Sequence, residues 1–398
     1  MISTLAQQIS PSETLKISAK AKELAREGRD VISLSAGEPD FKTPSHICNA
    51  AIDAITAGFH GYTMNTGMPE LREVICAKLL RDNRVSYSAD QIVCSNGAKQ
   101  SIGFSILATI NSGDDVIIPA PYWVSYPQMV KMAGGVPVTV STDFSNKFKL
   151  TGKQLREAIT EKTRGLILCS PSNPTGSSYS AEELKELADV LKDYPDIIIF
   201  SDEIYEYIIF EGEHTNILNV APELKDRTLI INGFSKGFAM TGWRLGYTAG
   251  PKPIIDAIAK IQSQETSAPS TISQKAGIAA YTGPMKPVTE MRDDFKKRRD
   301  FMVTSLQSIQ GVECFTPDGA FYLFPNIGAY IGKTTEAGDT INSSTDLAMY
   351  LLESHNVATV PGDAFGEPNG LRLSYASSMV ELKEAVRRLR GAFASLRG

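Results

Sequence analysis

Lys236 stands in Ser235-Lys236-Gly237, and Arg244 follows eight residues later in Gly242-Trp243-Arg244-Leu245-Gly246. The stretch begins after Thr228-Leu229-Ile230-Ile231, a β-branched run that reads as a buried strand, and ends where another strand starts at Leu245. A lysine in a tight turn between buried strands is partly desolvated. Desolvation disfavours the ammonium form, so the amine becomes available as a nucleophile. Ser235 offers a neutral hydrogen bond and Arg244 a bidentate charged one, a pair suited to a phosphate. A phosphate-anchored aldehyde held on a lysine is pyridoxal 5'-phosphate. Taken alone, a Ser-Lys-Gly turn reads as a solvated loop. The assignment therefore depends on what the neighbouring strand ends carry.

Four other loops follow apolar runs. Ser95-Asn96-Gly97-Ala98-Lys99 opens a helix, and small residues there expose backbone N–H groups to an anion. Lys99 in that first turn opposes the helix dipole, which suggests that it faces a ligand. Ala120-Pro121-Tyr122-Trp123 places one of two tryptophans at a strand end, where an indole can stack on a flat ring or simply pack in the core. Ser170-Pro171-Ser172-Asn173-Pro174-Thr175-Gly176 holds Asn173 between two prolines, a rigid loop whose Asn amide can donate to a cofactor ring oxygen, or else an ordinary turn. Ser201-Asp202-Glu203-Ile204-Tyr205 follows Ile197-Ile198-Ile199-Phe200. A carboxylate at the end of so apolar a run is costly unless paired. A protonated pyridine nitrogen would pair with Asp202, and Tyr205 could reach the ring's phenolic oxygen; a helix cap is the other reading of Asp202.

These loops need a sheet to present them. Strands are expected at 91–94, 115–119, 136–141, 164–169, 197–201, 228–232 and 245–249. Helices are expected at 45–57, 69–83, 97–110, 123–133, 152–160 and 181–193. Alternation of this kind implies an α/β fold with a mostly parallel sheet flanked by helices. Ligands then bind beyond the carboxyl ends of the strands. After Gly250 the pattern changes to helices at 252–264, 269–281, 286–309, 344–355 and 379–395. Short strands are expected near 312–315, 321–325, 357–360 and 370–374, the pattern of a smaller α+β domain. Residues 1–16 read as irregular with a turn at Ser12-Glu13-Thr14, followed by a helix from Ile17 to Gly28 and a short strand at 31–34. That helix has no partner in the first part of the sheet and is expected against the smaller domain. Gly328 to Ser344 reads as a polar, mobile loop.

The chain has 398 residues, enough for two domains, and a net charge of −5 that leaves no basic footprint for nucleic acid. No apolar run is long enough for a membrane span. Met1 to Lys16 lacks a basic stretch followed by an apolar core, so no signal peptide is expected and the protein is placed in the cytoplasm. Five scattered cysteines and four histidines give no disulfide framework and no metal spacing. Cys94 and Cys169 read as small hydrophobes in strand-like runs.

Ser-Pro-Ser-Asn-Pro-Thr-Gly, Ser-Asp-Glu-Ile-Tyr and Ser-Lys-Gly-Phe-Ala-Met-Thr-Gly-Trp-Arg-Leu-Gly, in this order, resemble the class I aminotransferases of fold type I over nearly the whole chain. Arg372 in Gly370-Leu371-Arg372-Leu373-Ser374 completes the set. The resemblance implies a large cofactor-binding domain at 45–285 and a small domain built from 1–44 and 286–398. It implies that Lys236 carries pyridoxal phosphate and moves the Cα proton, with Asp202 and Tyr205 on the ring. Gly97, Ala98, Lys99, Ser235 and Arg244 would take the phosphate and Trp123 the ring face. Arg372, Asn173 and the backbone of Gly37 would take the substrate's α-carboxylate. It also implies a homodimer in which Tyr62 reaches the neighbouring subunit's phosphate. Some aspartate aminotransferases bind the distal carboxylate with a partner arginine in the region of 260–275; this chain has no arginine from 251 to 291. It is similar instead to a bacterial-type subgroup in which residues at Lys99 and Thr14 take that role. The expected reaction moves the amino group of L-aspartate to 2-oxoglutarate. An aromatic, prephenate or broad-specificity aminotransferase is the nearest alternative, and a lyase of the same fold a more distant one. A transcriptional regulator would need a DNA-binding module for which too few residues precede the first loop.

Overall fold

The computed structural model describes residues 2–11 and 13–398. Its strands are β1 (Ile32–Ser33), β2 (Ile92–Ser95), β3 (Asp115–Ala120), β4 (Val136–Ser141), β5 (Thr163–Cys169), β6 (Ile198–Asp202), β7 (Thr228–Gly233), β8 (Gly246–Ala249), β9 (Tyr322–Leu323), β10 (Val357–Ala358), β11 (Val360–Pro361) and β12 (Leu371–Ser374). The helices are α1 (Thr4–Gln8), α2 (Glu13–Arg26), α3 (Ser45–Thr56), α4 (Pro69–Asn83), α5 (Ala98–Thr109), α6 (Tyr126–Met132) and α7 (Gly152–Ala158). They continue with α8 (Ala181–Leu191), α9 (Ile217–Val220), α10 (Lys252–Glu265), α11 (Thr271–Thr282), α12 (Lys286–Gln307), α13 (Ser344–His355) and α14 (Met379–Ser395).

Seven strands form one sheet in the order β2-β8-β7-β6-β5-β3-β4. All neighbours pair in parallel except β8, which runs antiparallel to both β2 and β7. Successive residues on a strand point to opposite faces, and both faces are covered. Ile117, Leu166, Leu168, Ile199 and Ile230 enter the core on one side. Val116, Ile118, Ile167, Phe200, Leu229 and Ile231 enter the core on the other, with Ile102 and Ile106 of α5. Burial on both faces is why these strands read as unbroken apolar runs.

A separate core gathers α12, α13 and α14 around β9 and β12, through Phe295, Met302, Tyr322, Leu351 and Leu389. Helix α2 packs Ile17, Ala21 and Leu24 against Leu352 and Ala358. The N-terminal helix therefore lies where the sequence placed it, beside the C-terminal elements.

Five readings change. Residues 4–8 are helical, capped by Ser3, whose hydroxyl accepts from the Ala6 amide at 3.2 Å. Helix α2 begins at Glu13 rather than Ile17, with that carboxylate in its first turn and Arg26 in its last, both favourable to the dipole. Of the expected Ser12-Glu13-Thr14 turn, Ser12 lies outside the described residues. The stretch 312–315 is no strand and makes only an isolated bridge from Glu313 to Asn326. The expected strand 357–360 divides at Thr359: β10 pairs with β1 while β11 pairs with β12. The polar stretch after Gly328 is tied down, with the Thr334 amide donating to the Arg397 carbonyl at 2.8 Å and Ile341 buried.

Candidate active site

The carboxyl ends of β2, β3, β5, β6 and β7 all deliver loops to one cavity of about 310 Å³. Thr14, Gly37, Ala98, Lys99, Trp123, Asn173, Asp202, Tyr205, Ser235, Lys236, Arg244 and Arg372 line it. Gly97 and Tyr62 do not. Gly97 caps α5 at φ 85°, and a Cβ there would collide with the Arg244 guanidinium. Glycine at this position lets the arginine lie across the helix N-terminus. Tyr62 is 99% exposed.

Lys236 follows β7 in a turn that holds Ala239 at φ 51° and Arg244 at φ 52°, conformations that cost a non-glycine residue about 1–2 kcal/mol each. Its ammonium donates to the Gly37 carbonyl. Burial, and then the nearby Arg372 charge, bring its pKa down to about 8. Arg244 donates to the carbonyls of Thr241 at 2.8 Å and Asn96 at 3.1 Å, which fixes the guanidinium beside Gly97. A Cβ at Gly246 would meet the Ala98 amide, so β8 approaches this helix end closely.

Asp202 ends β6 and is 4% exposed. Burial pushes its carboxyl up to about 6, against the lowering effect of a hydrogen bond from Tyr126 at 2.6 Å. The Tyr205 hydroxyl meets that of Tyr322 at 2.9 Å. Arg372 of β12 is 2% exposed; its Nη1 donates to Asn173 Oδ1 at 3.1 Å and its Nη2 to the Ser35 carbonyl at 2.8 Å. Its guanidinium lies over Tyr322 at 4.6 Å and Phe365 at 5.2 Å. Its Nε is buried without a hydrogen-bond partner among the described residues. Lys99 rests its ammonium over the Trp123 indole at 4.9 Å, and burial lowers its pKa.

Sequence reasoning missed Tyr126, Tyr322 and Cys169, which also line the cavity. Tyr126 stands one helical turn from Trp123, a spacing that could have flagged it. Tyr322 and Cys169 sit in apolar runs with nothing to mark them. Cys169, read as a small hydrophobe, is only partly buried and faces the cavity.

Among the described lining residues four cationic side chains, Lys99, Lys236, Arg244 and Arg372, face one carboxylate, Asp202. That excess, with an orphaned guanidinium nitrogen and a buried carboxylate lacking a cation, fits a ligand bearing a phosphate, a basic ring nitrogen and an aldehyde. A seven-stranded, mostly parallel sheet with a buried lysine after β7 and a buried carboxylate at the end of β6 is the frame of a pyridoxal-phosphate enzyme of fold type I. Residues 29–389 match the family aminotransferase class I and II, and the chain belongs to it.

Its relatives include a probable aspartate/prephenate aminotransferase of Rickettsia bellii, 48% identical over the full length of both chains. An aspartate aminotransferase of Rhizobium meliloti is 46% identical over 96% of this chain and 94% of its own. In three dimensions the crystal structure of the aspartate aminotransferase from Rhizobium meliloti superposes with a TM-score of 0.97 at 44% identity, covering 100% of this chain and 99% of that one. Aspartate aminotransferase from Thermus thermophilus with maleate superposes at 0.92 and 39% identity, covering 98% and 99%.

Proposed function

We propose that the protein transfers the amino group of L-aspartate to 2-oxoglutarate, giving oxaloacetate and L-glutamate in two half-reactions. The observation that carries the reading is the pair of cations in one cavity, Arg372 buried at one side and Lys99 on the indole at another. A dicarboxylate satisfies both; a monocarboxylate leaves one partly desolvated charge unpaired. Relatives named aspartate and aspartate/prephenate aminotransferase support the same class of substrate.

Bound pyridoxal phosphate supplies a carbonyl for amine exchange and a ring that draws electrons from the substrate's Cα. Lys236, neutral in part near pH 8, would hold the cofactor through that carbonyl carbon and, once freed by the incoming amine, would take up and return the substrate's Cα proton at its Nζ. Asp202 would pair with the ring nitrogen and keep its proton in place. Tyr205 would take the ring's phenolic oxygen and Trp123 its face. Ser235, Arg244 and the Gly97-Ala98-Lys99 turn would hold the phosphate. Arg372, already oriented by Asn173 and Ser35, takes the α-carboxylate, with Gly37 beside it; Lys99 and Thr14 take the distal one.

The same reading divides the chain into a cofactor-binding domain at 45–285 and a small domain from 1–44 and 286–398. It makes the protein a cytoplasmic homodimer. Ile52, Ile55, Phe59, Tyr62 and Met64 are all exposed within one short stretch, an apolar surface that a second copy would cover while bringing Tyr62 to the partner's phosphate. Five free cysteines accord with a reducing compartment.

The test is a half-reaction titration. The bound cofactor's absorbance should convert to the amine form at low L-aspartate and only at much higher L-phenylalanine. Equal or better response to phenylalanine would move the assignment to an aromatic or broad-specificity enzyme.

A further inference from the structure

A carboxylate at a strand end is free to rotate, and a ring nitrogen in front of it gains a well-aimed partner only if both oxygens are held. In this chain each oxygen of Asp202 has its own donor. The Ile204 amide reaches Oδ1 at 3.3 Å and the Tyr126 hydroxyl reaches Oδ2 at 2.6 Å. Tyr126 is itself fixed. It is 2% exposed, it opens α6, and its amide donates to the Trp123 carbonyl at 3.0 Å. Its ring meets the Trp123 indole edge-on, with centroids 5.2 Å apart at 87°. One side chain thus touches both the group expected at the ring nitrogen and the group expected on the ring face.

We propose that Tyr126 is a positioning residue of the cofactor site: its phenol holds the Asp202 carboxylate in line with the ring nitrogen, and its ring props the Trp123 indole. This rests on the reading of the cavity as a pyridoxal-phosphate site. A phenol suits the task because it stays a donor. Burial, together with the Asp202 charge, keeps Tyr126 well above the usual tyrosine range, so it does not ionise where the enzyme would work. Its hydrogen bond also favours the charged carboxylate over the neutral acid, which burial alone would promote.

The proposal is tested on cofactor-free protein with two ligands, pyridoxal phosphate and its 1-deaza analogue, in which C–H replaces the ring nitrogen. Tyr126→Phe should weaken pyridoxal phosphate about tenfold, the size of one hydrogen bond to a charged group, and leave the analogue within about twofold. Tyr126→His, which keeps a donor, should recover most of the loss. Equal weakening of both ligands would reveal a packing role and overturn the proposal, as would no change in either. In an Asp202→Ala background Tyr126→Phe should weaken pyridoxal phosphate no further; an additive loss there would also overturn it. Failure of the unaltered protein to bind pyridoxal phosphate is a different result and would sink the cavity reading instead.

Discussion

Asp202 and Glu203 are chain neighbours at the end of β6, and they serve two regions of opposite character. Asp202 faces the cavity, where, among the described residues, cations outnumber carboxylates and Arg372 Nε lacks a partner. Glu203 belongs to a closed cluster behind it. There Ser201 Oγ donates to Glu203 at 2.8 Å, His214 Nε2 lies 2.9 Å away, and Asn216 also donates. Lys78 pairs with Glu206, and Asn83 accepts from Lys78 at 2.6 Å while donating to Glu206 at 2.8 Å. Glu203, Glu206 and His214 come close enough together to hold a metal ion, yet the Lys78 ammonium already supplies a cation on Glu206. The cluster's charges are answered from within the chain, while those of the cavity await a ligand. An ionisable group of the first kind is expected to matter for stability and one of the second for binding and rate.

The largest effect should come from the cavity. Lys236→Ala is expected to lower transamination on the order of 10⁴-fold, the upper range for a positioned general base, with unfolding by urea little changed. Turnover near the parent rate would remove the lysine from the scheme.

The cluster should show the reverse. Lys78→Met leaves Glu206 buried without its cation and is expected to cost about 3–5 kcal/mol of stability. Lys99→Met, at the cavity, should be neutral or slightly stabilising in the same urea titration without ligand. Equal losses from the two would erase the distinction between the regions.

A third measurement uses the lysine's acidity. Covalent attachment of pyridoxal phosphate needs the neutral amine, so its rate on cofactor-free protein should rise with pH through about 8 and then level off. An inflection near 10.5, the ordinary lysine value, would show that the cavity does not perturb Lys236.

The smallest effect belongs to His214. Burial alone would lower its pKa, but the charge and hydrogen bond of Glu203 outweigh burial and raise it above 6.5. Protonation therefore favours the folded state. The contribution is complete below the unfolded value near 6.5 and is lost as pH rises through the higher folded value. His214→Gln should flatten that part of the stability profile; an unchanged slope would place the titration elsewhere.

The two regions also differ in how legible they are. Lys236, Asp202, Asn173 and Trp123 each follow a run of apolar residues, so strand patterning alone sends them to one edge of the sheet. Arg372 lies far along the chain and was singled out only through resemblance; β12 brings it to Asn173. The cluster leaves no such mark. Lys78 lies on α4 and Glu206 is 128 residues away, and a buried lysine looks in sequence like any helix-surface lysine. The partnering of Tyr126 with Asp202 is hidden for the same reason, because contact across elements has no period to read. The helical start at Thr4 was missed because so short an amphipathic segment carries too few apolar positions to show a stripe.

Amino transfer from aspartate at this cavity is followed by isotope tracing. Purified protein loaded with pyridoxal phosphate is given ¹⁵N-labelled L-aspartate and 2-oxoglutarate, and the nitrogen is followed by NMR. Transamination puts the label in L-glutamate, with one oxaloacetate formed for each. Label released as ammonium would indicate a lyase, and label remaining in aspartate would contradict the assignment outright.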